Sequence, residues 1–548
     1  MMVAASVILV DQTAVPLATP HIIQSLGGSI SSGQWILTAN LVPLAAFLVV
    51  GGHFGDVFGL RRVFLAGAVG FLAATVLAAA SQDMAMLIAA RLVQGTSAAL
   101  MMPNSIAIVS ASFPVEQRGS VLGTLAGGTA FLAALGPVVG GSLTGISWRL
   151  IFVLNGLLTL CCIAMTLRST PRLPGRASSR LDLPGLALFT IGISGIVFGV
   201  GELSQTGVST AAQLVPLVLG CLALASFVPV ELRVRSPLVD IRLLRHLNYL
   251  AANLSQLLAG AVELGLGYLL PFELLLVVGV TPAIAGLALL PASIPIVLVG
   301  PLSGRAFDRY GGRWPLVIGF LVLALSGAGL ALGVSHQSVI ALIPGLVLQG
   351  VGLGIVLTVS DPAGLASIPD ESMGQAAGLI ITAEQLGGAI GIAGFLALEY
   401  RHFITDLYAR LAQRGIRPTA AQVEISRQYI LRAEQTGIHH LAQPAVVRTV
   451  FRDITLAHVD GFRLAFGASA GVALLGAAIC LVLVRRGDPI GMPIRSRRTR
   501  WGLAASRDPA LLATRIDHAQ PSVTPAMIDD DGRLDGCVSE RDAAQPGP

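Results

Sequence analysis

The sequence predicts an all-α integral membrane protein with fourteen transmembrane helices, arranged as two six-helix bundles plus two central linking helices. Three observations predict it. The 548 residues are 54% hydrophobic and only 12% charged, with mean hydropathy +0.78; soluble domains carry about 25% charged residues. The apolar residues gather into fourteen runs, each near the ~20 residues a helix needs to cross a bilayer. The stretch Gly52 to Arg62, GHFGDVFGLRR, returns as GRAFDRYGGR at Gly304 to Arg313, so the chain has two halves.

The apolar runs are 3–20, 34–54, 62–81, 84–111, 118–144, 148–168, 182–203, 210–231, 248–276, 283–303, 314–334, 338–360, 373–398 and 462–484. The first has no basic residues before it, no small-residue cleavage site, and Asp11 at its centre, so it reads as a retained helix and not a signal peptide. Six runs precede the pair at 182–203 and 210–231, and six follow. The expected domains are a bundle over 1–168, a linker with two helices over 169–246, a second bundle over 247–484, and a disordered cytoplasmic tail over 485–548.

Arginine alternates between loops. The first, third, seventh, ninth and eleventh loops have none, and the fifth has only Arg149 at its end. Even-numbered loops carry Arg61 and Arg62, Arg118, the group Arg168 to Arg180, the group Arg233 to Arg245, and Arg305, Arg309 and Arg313. Basic loops stay on the cytoplasmic side, so both termini are expected there, in a multi-pass protein of the cytoplasmic (inner) membrane. The loop Asp361 to Ser372 has acids and no Arg, and no physical reason for that lapse is evident. The net charge of +5 thus reports topology and contact with anionic lipid, with no nucleic-acid partner expected.

The chain contains no lysine. That excludes an ordinary P-loop ATPase and Schiff-base chemistry, which need the amine. No H-E-x-x-H pair occurs, and the five cysteines follow neither a disulfide framework nor metal spacing. No cofactor or metal is expected; uphill transport would draw on the proton gradient.

The segment 399–461 is a long extracytoplasmic loop. Phe403, Ile404, Leu407, Tyr408 and Leu411 recur at helical spacing, and Thr419 with Gln422 could form a capping box. This predicts amphipathic helices on the outer membrane surface, with His402, His439, His440 and His458 solvated. Glu202, Glu231 and Asp361 fall at helix ends, where contact with water is expected.

In both copies of the repeat an Asp (Asp56, Asp308) follows a Gly (Gly52, Gly304) by four residues, with Gly59 or Gly311 and then Arg61 or Arg313 beyond. The glycines suit a tight turn, and an acid at a helix start suits its dipole. These residues resemble the loop signature G-x-L-A-D-R-x-G-R-K of the major facilitator superfamily, although Val57 and Leu60 stand where basic residues are usual. The first run, VDQTAVPLATPHI, resembles the first-helix pattern L-D-x-T-V-V-N-V-A-L-P-x-I of its fourteen-helix drug:proton antiporter branch. RLVQGTSAALMMP from Arg91 resembles the fourth-helix pattern R-x-x-Q-G-x-G-x-A. Gly123, Gly136, Pro137, Gly140 and Gly141 fit the antiporter signature G-x8-G-x3-G-P-x2-G-G, with Leu132 in place of its second Gly. Trp148, Arg149, Phe152 and Asn155 fit a further pattern of the branch.

A charge at membrane depth costs roughly 2.5–3.5 kcal/mol on insertion scales, so each one needs a partner or a purpose. Asp11, Glu263 and Glu384 are the candidate proton- or substrate-coupling acids, with Glu273 a further acid towards the outer end. Arg91 is the cation that could hold a carboxylate ionised; the alternatives are packing contacts and structural ion pairs. The resemblance implies proton-coupled efflux of lipophilic drugs or antibiotics by alternating access. Cationic cargo is somewhat favoured, because buried acids outnumber buried bases. A proton symporter for uptake, or a transporter-like component of a larger export assembly with an accessory subunit, are the alternatives.

Overall fold

A computed structural model gives the structure of the chain; it describes all residues except 29, 114–120, 122–124, 126–127, 130, 134, 171–181, 203–209, 235–236, 238–240, 367, 369–372, 416–444 and 485–548. The tail, Gly123, Thr419, Gln422, His439 and His440 therefore lie outside the described residues. The described residues contain helices and no strand. Among them thirteen helices are long and apolar enough to cross a membrane, and Phe131–Thr144 adds a shorter apolar helix within the fifth expected run.

The first half comprises α1 (Met2–Leu26), α2 (Ile30–Phe58), α3 (Leu60–Ala79), α4 (Met84–Ser112), α5 (Gly136–Thr144) and α6 (Arg149–Ser169). The central pair is α7 (Leu183–Glu202) and α8 (Thr210–Glu231). The second half comprises α9 (Leu247–Glu273), the short α10 (Pro282–Ala288), α11 (Leu290–Tyr310), α12 (Arg313–Gly333), α13 (Val339–Leu365), α14 (Met373–Gln413) and α15 (Ala445–Leu483). α9 runs on into a π-helical turn, Leu274–Val278, and the tenth expected run is broken at Leu289 between α10 and α11.

The turns follow glycine chemistry. Gly59 between α2 and α3 has φ 97°, and Gly311 between α11 and α12 has φ 72°, backbone that a side chain disfavours. One expectation fails here. Asp56 and Asp308 sit in the last turns of α2 and α11, not at a helix start. The helices continue through Gly52 and Gly304 and break only at the positive-φ glycines, so the dipole argument for those acids does not hold. The dipole is met elsewhere: Arg61 Nη2 donates to the Leu167 carbonyl at 2.7 Å, near the C-terminal end of α6.

Within the first half α2 and α3 pack on α4, and α1 packs on α5 and α6. In the second, α9 packs on α14, α13 on α11 and α12, and α15 on α12 and α14. α7 and α8 pair with each other, and α7 leans on α2 and α14. The halves meet along α2 and α14, α5 and α10, and α1 and α9.

The 399–461 segment corrects another expectation. Its helical periodicity is real, but Phe403 and Leu411 belong to a continuation of α14, which reaches Gln413. This is about 22 Å beyond residue 398 at 1.5 Å per residue. α15 likewise begins at Ala445, before the run at 462. Phe403 and Leu411 are 3% and 6% exposed, and α14 packs on α15, so these two are covered by protein, while Tyr408 of the same stripe stays exposed. Arg410 meets Asp406 at 2.5 Å and Asp460 at 2.6 Å, and Arg414 meets Asp453 at 3.0 Å.

Candidate functional site: a buried ion pair beside a cavity between the halves

Asp11 lies in the middle of α1 and is 1% exposed, as is Arg91 on α4. Arg91 Nη1 donates to Asp11 Oδ2 at 2.5 Å and to Gln94 Oε1 at 2.7 Å, while its Nε donates to the Ile36 carbonyl at 2.9 Å. Asn155 Nδ2 donates to Asp11 Oδ1 at 2.8 Å, and Gln94 Nε2 reaches the same oxygen at 3.4 Å and Thr75 Oγ1 at 3.3 Å. Five helices of the first half thus converge on one neutral cluster: α1, α2, α3, α4 and α6. Both Asp11 oxygens are occupied, which is the condition under which a buried ion pair is tolerated.

Next to this cluster is a cavity of about 120 Å³. Its walls come from both halves: Gln12, Thr13, Asn40 and Arg91 on one side, Glu263, Ser293 and Gln349 on the other, with leucines and isoleucines between them. Asp11 does not line it, although its neighbours Gln12 and Thr13 do. Glu263 Oε2 and Gln349 Oε1 are buried and have no hydrogen-bond partner among the described residues. Two acceptor oxygens without donors in one cavity are a costly arrangement that a ligand or water would relieve.

Glu384 stands behind this wall on α14. A Cβ on Gly260 of α9 would overlap the Glu384 carbonyl, so only glycine lets the two helices approach there. Gln385 Nε2 reaches Glu384 Oε1 at 3.4 Å, and Gln12 Nε2 donates to Gln385 Oε1 at 3.0 Å, linking the halves. Asp361 accepts from Gln256 Nε2 at 2.7 Å, so its contact is with protein and not simply with water.

α5 is the seam between the halves. A Cβ on Gly140 would press on Ala14 of α1, and one on Gly136 would strike Thr13. One on Gly141 would strike the Pro282 carbonyl and approach Gly286 of α10, whose own Cβ would strike the Pro137 carbonyl. On the side of the loop signatures the halves touch again, where a Cβ on Gly378 of α14 would lie 3.8 Å from Val49 Cγ2 of α2. The cavity lies between these two contacts.

The structure therefore brings Asp11 and Arg91 together, and Glu263 and Glu384 together, with Gln12 and Gln385 between the pairs. Gly52, Asp56, Gly59, Arg61, Gly304, Asp308, Gly311 and Arg313 are at the signature ends of their helices, away from the cavity. Sequence reasoning missed Gln12, Asn40, Gln349 and Gln385. Amides inside apolar runs were the available signal. It also misplaced two groups: Glu231 is 3% exposed and His458 is 5% exposed, so neither is solvated. Helix packing at α8 and α15 covers them. The stretch Gly467 to Gly471 has the form G-x-S-x-G, but Ser469 is mid-helix, buried, and donates to the Phe466 carbonyl at 2.7 Å, so it is no nucleophile elbow.

A two-half helical array around a central cavity, with amides and a carboxyl that has one unpartnered oxygen in its wall, defines a multi-pass membrane transporter. The chain belongs to the Major Facilitator Superfamily, whose sequence model matches residues 1–392. It is 29% identical over 524 residues to the probable actinorhodin transporter of Streptomyces coelicolor, covering 88% of this chain and 89% of that one. It is 29% identical to the tetracenomycin C resistance and export protein of Streptomyces glaucescens, over 89% of this chain and 91% of the relative. With the puromycin resistance protein pur8 of Streptomyces alboniger it shares 31% identity, over 71% and 78% of the two chains. Among solved structures, the fold matches a bacterial homologue of the human lysosomal transporter Spinster, inward-facing and unoccupied, at TM-score 0.60 and 16% identity, covering 89% of this chain and 97% of that one. A D-xylose–proton symporter matches at TM-score 0.54 and 14% identity, over 88% and 97%.

Proposed function

We propose that this transporter exports lipophilic drugs or antibiotics across the cytoplasmic membrane in exchange for protons, by alternating access. The observation that carries the reading is Glu263: a carboxyl with one unpartnered oxygen, in a cavity walled by both halves. An ionised Glu263 accepts hydrogen bonds from cargo on both oxygens; a protonated one is neutral and turns one of them into a donor, so proton and cargo compete for one group. Glu384 stands behind it, on α14, where that helix meets α9 at Gly260. Asp11 and Arg91 hold the first half together and fix Gln12 and Thr13 in the cavity wall. The export and resistance proteins named above support the direction of transport.

The cavity of about 120 Å³ is smaller than the roughly 300–1,000 Å³ of drug-sized sites. Admitting cargo therefore requires the halves to part at one of their two contacts, while the other stays closed. Arginine alternation puts the loop signatures and both termini in the cytoplasm. No cofactor is needed beyond the proton gradient, and the partners are the cargo, protons and membrane lipid.

Purified protein in lipid vesicles tests this. With an acidic outer medium on the extracytoplasmic face, a lipophilic dye loaded on the cytoplasmic face should move out against its gradient, and an uncoupler should stop it. Dye moving in with the protons would establish a symporter and overturn the proposal.

A further inference from the structure

The end of the second half opposite the loop signatures holds three buried titratable groups that the cavity chemistry does not use. Glu273, at the end of α9, is fully buried, and neither of its oxygens has a partner among the described residues. Glu399 and His458 are each 5% exposed and hydrogen-bonded through Oε1 and Nδ1 at 3.1 Å, while His458 Nε2 is buried without a partner. Phe403 stacks on the imidazole with ring centres 3.7 Å apart, which excludes water from that face.

Helix register places the three at one level. α9 and α14 run parallel, Gly260 meeting Glu384 and Gly265 meeting Phe395, so Glu273 is level with the turn that begins near Glu399. α15 runs antiparallel, with Ser255 against Cys480 and Gly461 on the Glu399 carbonyl, and it touches the turn Leu274–Val278 that follows Glu273. No three His, Cys, Asp or Glu among the described residues are close enough to hold a metal. The neighbouring charges are spent on one another: Arg410 on Asp406 and Asp460, Arg414 on Asp453. Arg401, Arg463 and His336 are exposed, His402 and Tyr400 are half-buried, and Tyr268 on α9 is buried between Glu263 and Glu273.

We propose that Glu273, Glu399 and His458 form the outer proton-acceptance site of this transporter and hand protons inward to Glu263, a step that rests on the proton exchange proposed above. The Glu399–His458 pair takes one proton from outer water and releases one to the Glu273 carboxylate, which becomes a carboxylic acid. Glu273 then gives that proton to water between the helices, which carries it ten residues, about 15 Å, back along α9 to the Glu263 carboxylate. Each group returns to its starting state, and one proton has moved in. Glu273 and His458 are positioning and relay groups, since neither lines the cavity.

Infrared spectra of the full chain in lipid nanodiscs, taken across a pH titration, read the carboxyls directly. A protonated-carboxyl band that titrates in the wild type should be missing in Glu273→Gln, displaced in Glu273→Asp, and shifted along the pH axis in His458→Asn. In vesicles, Glu273→Gln should slow proton-driven export by about a hundredfold, the low end of what a positioned acid–base group contributes. Dye binding at equilibrium should stay unchanged, and His458→Asn should move the dependence of export on outer pH. Identical spectra in wild type and Glu273→Gln, or a lost band with unaltered export and pH dependence, overturn the proposal. Should Glu273→Gln fail to fold, Glu273→Asp and His458→Asn carry the same two readings. A wild type that exports nothing on a proton gradient sinks the proposed function instead, and the infrared titration still reads Glu273 by itself.

Discussion

Arg91 and Asp11 meet at 2.5 Å inside the first half, each 1% exposed, and the cavity touches only the arginine's side of that pair. The acid that sequence most plainly marks is therefore already satisfied, by Arg91, Asn155 and Gln94. The acid left unsatisfied at the cavity is Glu263, from the other half. The buried ion pair of the first half and the acid proposed to exchange protons, in the second, are thereby separate.

Removing one partner of the pair strands the other. Arg91→Ala should destabilise the protein by about 3–5 kcal/mol, the range for breaking a buried ion pair. Asp11→Asn keeps a polar partner for Asn155 and should cost less. The double variant Asp11→Asn with Arg91→Ala should cost less than the sum of the single changes, because no net charge stays buried. Denaturant titration in detergent measures all three; additive losses would show that the pair is not coupled.

The cavity acids should separate by position. Glu263→Gln removes the exchangeable charge from the wall and should abolish proton-driven export while leaving insertion and melting unchanged. Glu384→Gln acts from behind the wall, so it should move the pH dependence of export and leave residual transport. Vesicle assays over a pH series distinguish them, and equal, complete loss in both would contradict the assigned order.

Much of this was legible in the chain because membrane helices announce themselves by length and composition, and because charges in them are rare. Asp11, Arg91, Glu263 and Glu384 could be named without coordinates. Which of them face a cavity could not, since residues on one helix are read without knowing its rotation. Gln12 and Gln385 meet across 373 positions of sequence, a contact no local pattern encodes. The continuation of α14 past residue 398 was missed for a similar reason. Phe403 and Leu411 look the same in sequence whether lipid or α15 covers them.

Two of the four signature glycines, Gly59 and Gly304, should respond oppositely to a methyl group. Gly59 holds φ 97° and ψ 127°, so Gly59→Ala forces strained backbone and should cost about 1–3 kcal/mol. Gly304 lies within α11 with nothing within 4 Å of an added Cβ, so Gly304→Ala should stabilise by about 0.5–1 kcal/mol, the helix-interior penalty of glycine. Paired melting curves test the contrast.

The seam at α5 should tolerate no side chain. Gly141→Leu would drive a branched group into the Pro282 carbonyl and Gly286, so the contact between the halves on that side cannot close. Export should stop although the protein still inserts. Gly267→Ala, on the cavity wall with open space at its Cβ, should leave the fold intact and serve as the control. Transport and melting measured together separate the outcomes.

The opposite contact can be held shut by chemistry. A Cβ on Gly378 would lie 4.0 Å from the Val49 Cα and 3.8 Å from its Cγ2, an approach within reach of the Cα separations of about 4.4–6.8 Å that disulfides span. Val49→Cys with Gly378→Cys should cross-link under mild oxidant, in a chain whose native cysteines have been replaced by serine or alanine. If the halves must part there to load cargo from the cytoplasm, the oxidised protein exports nothing and a thiol reductant restores it. Each single variant should export at a rate the oxidant does not change. Export that continues with the cross-link complete would mean that α2 and α14 stay together throughout the cycle, and that loading proceeds by another route.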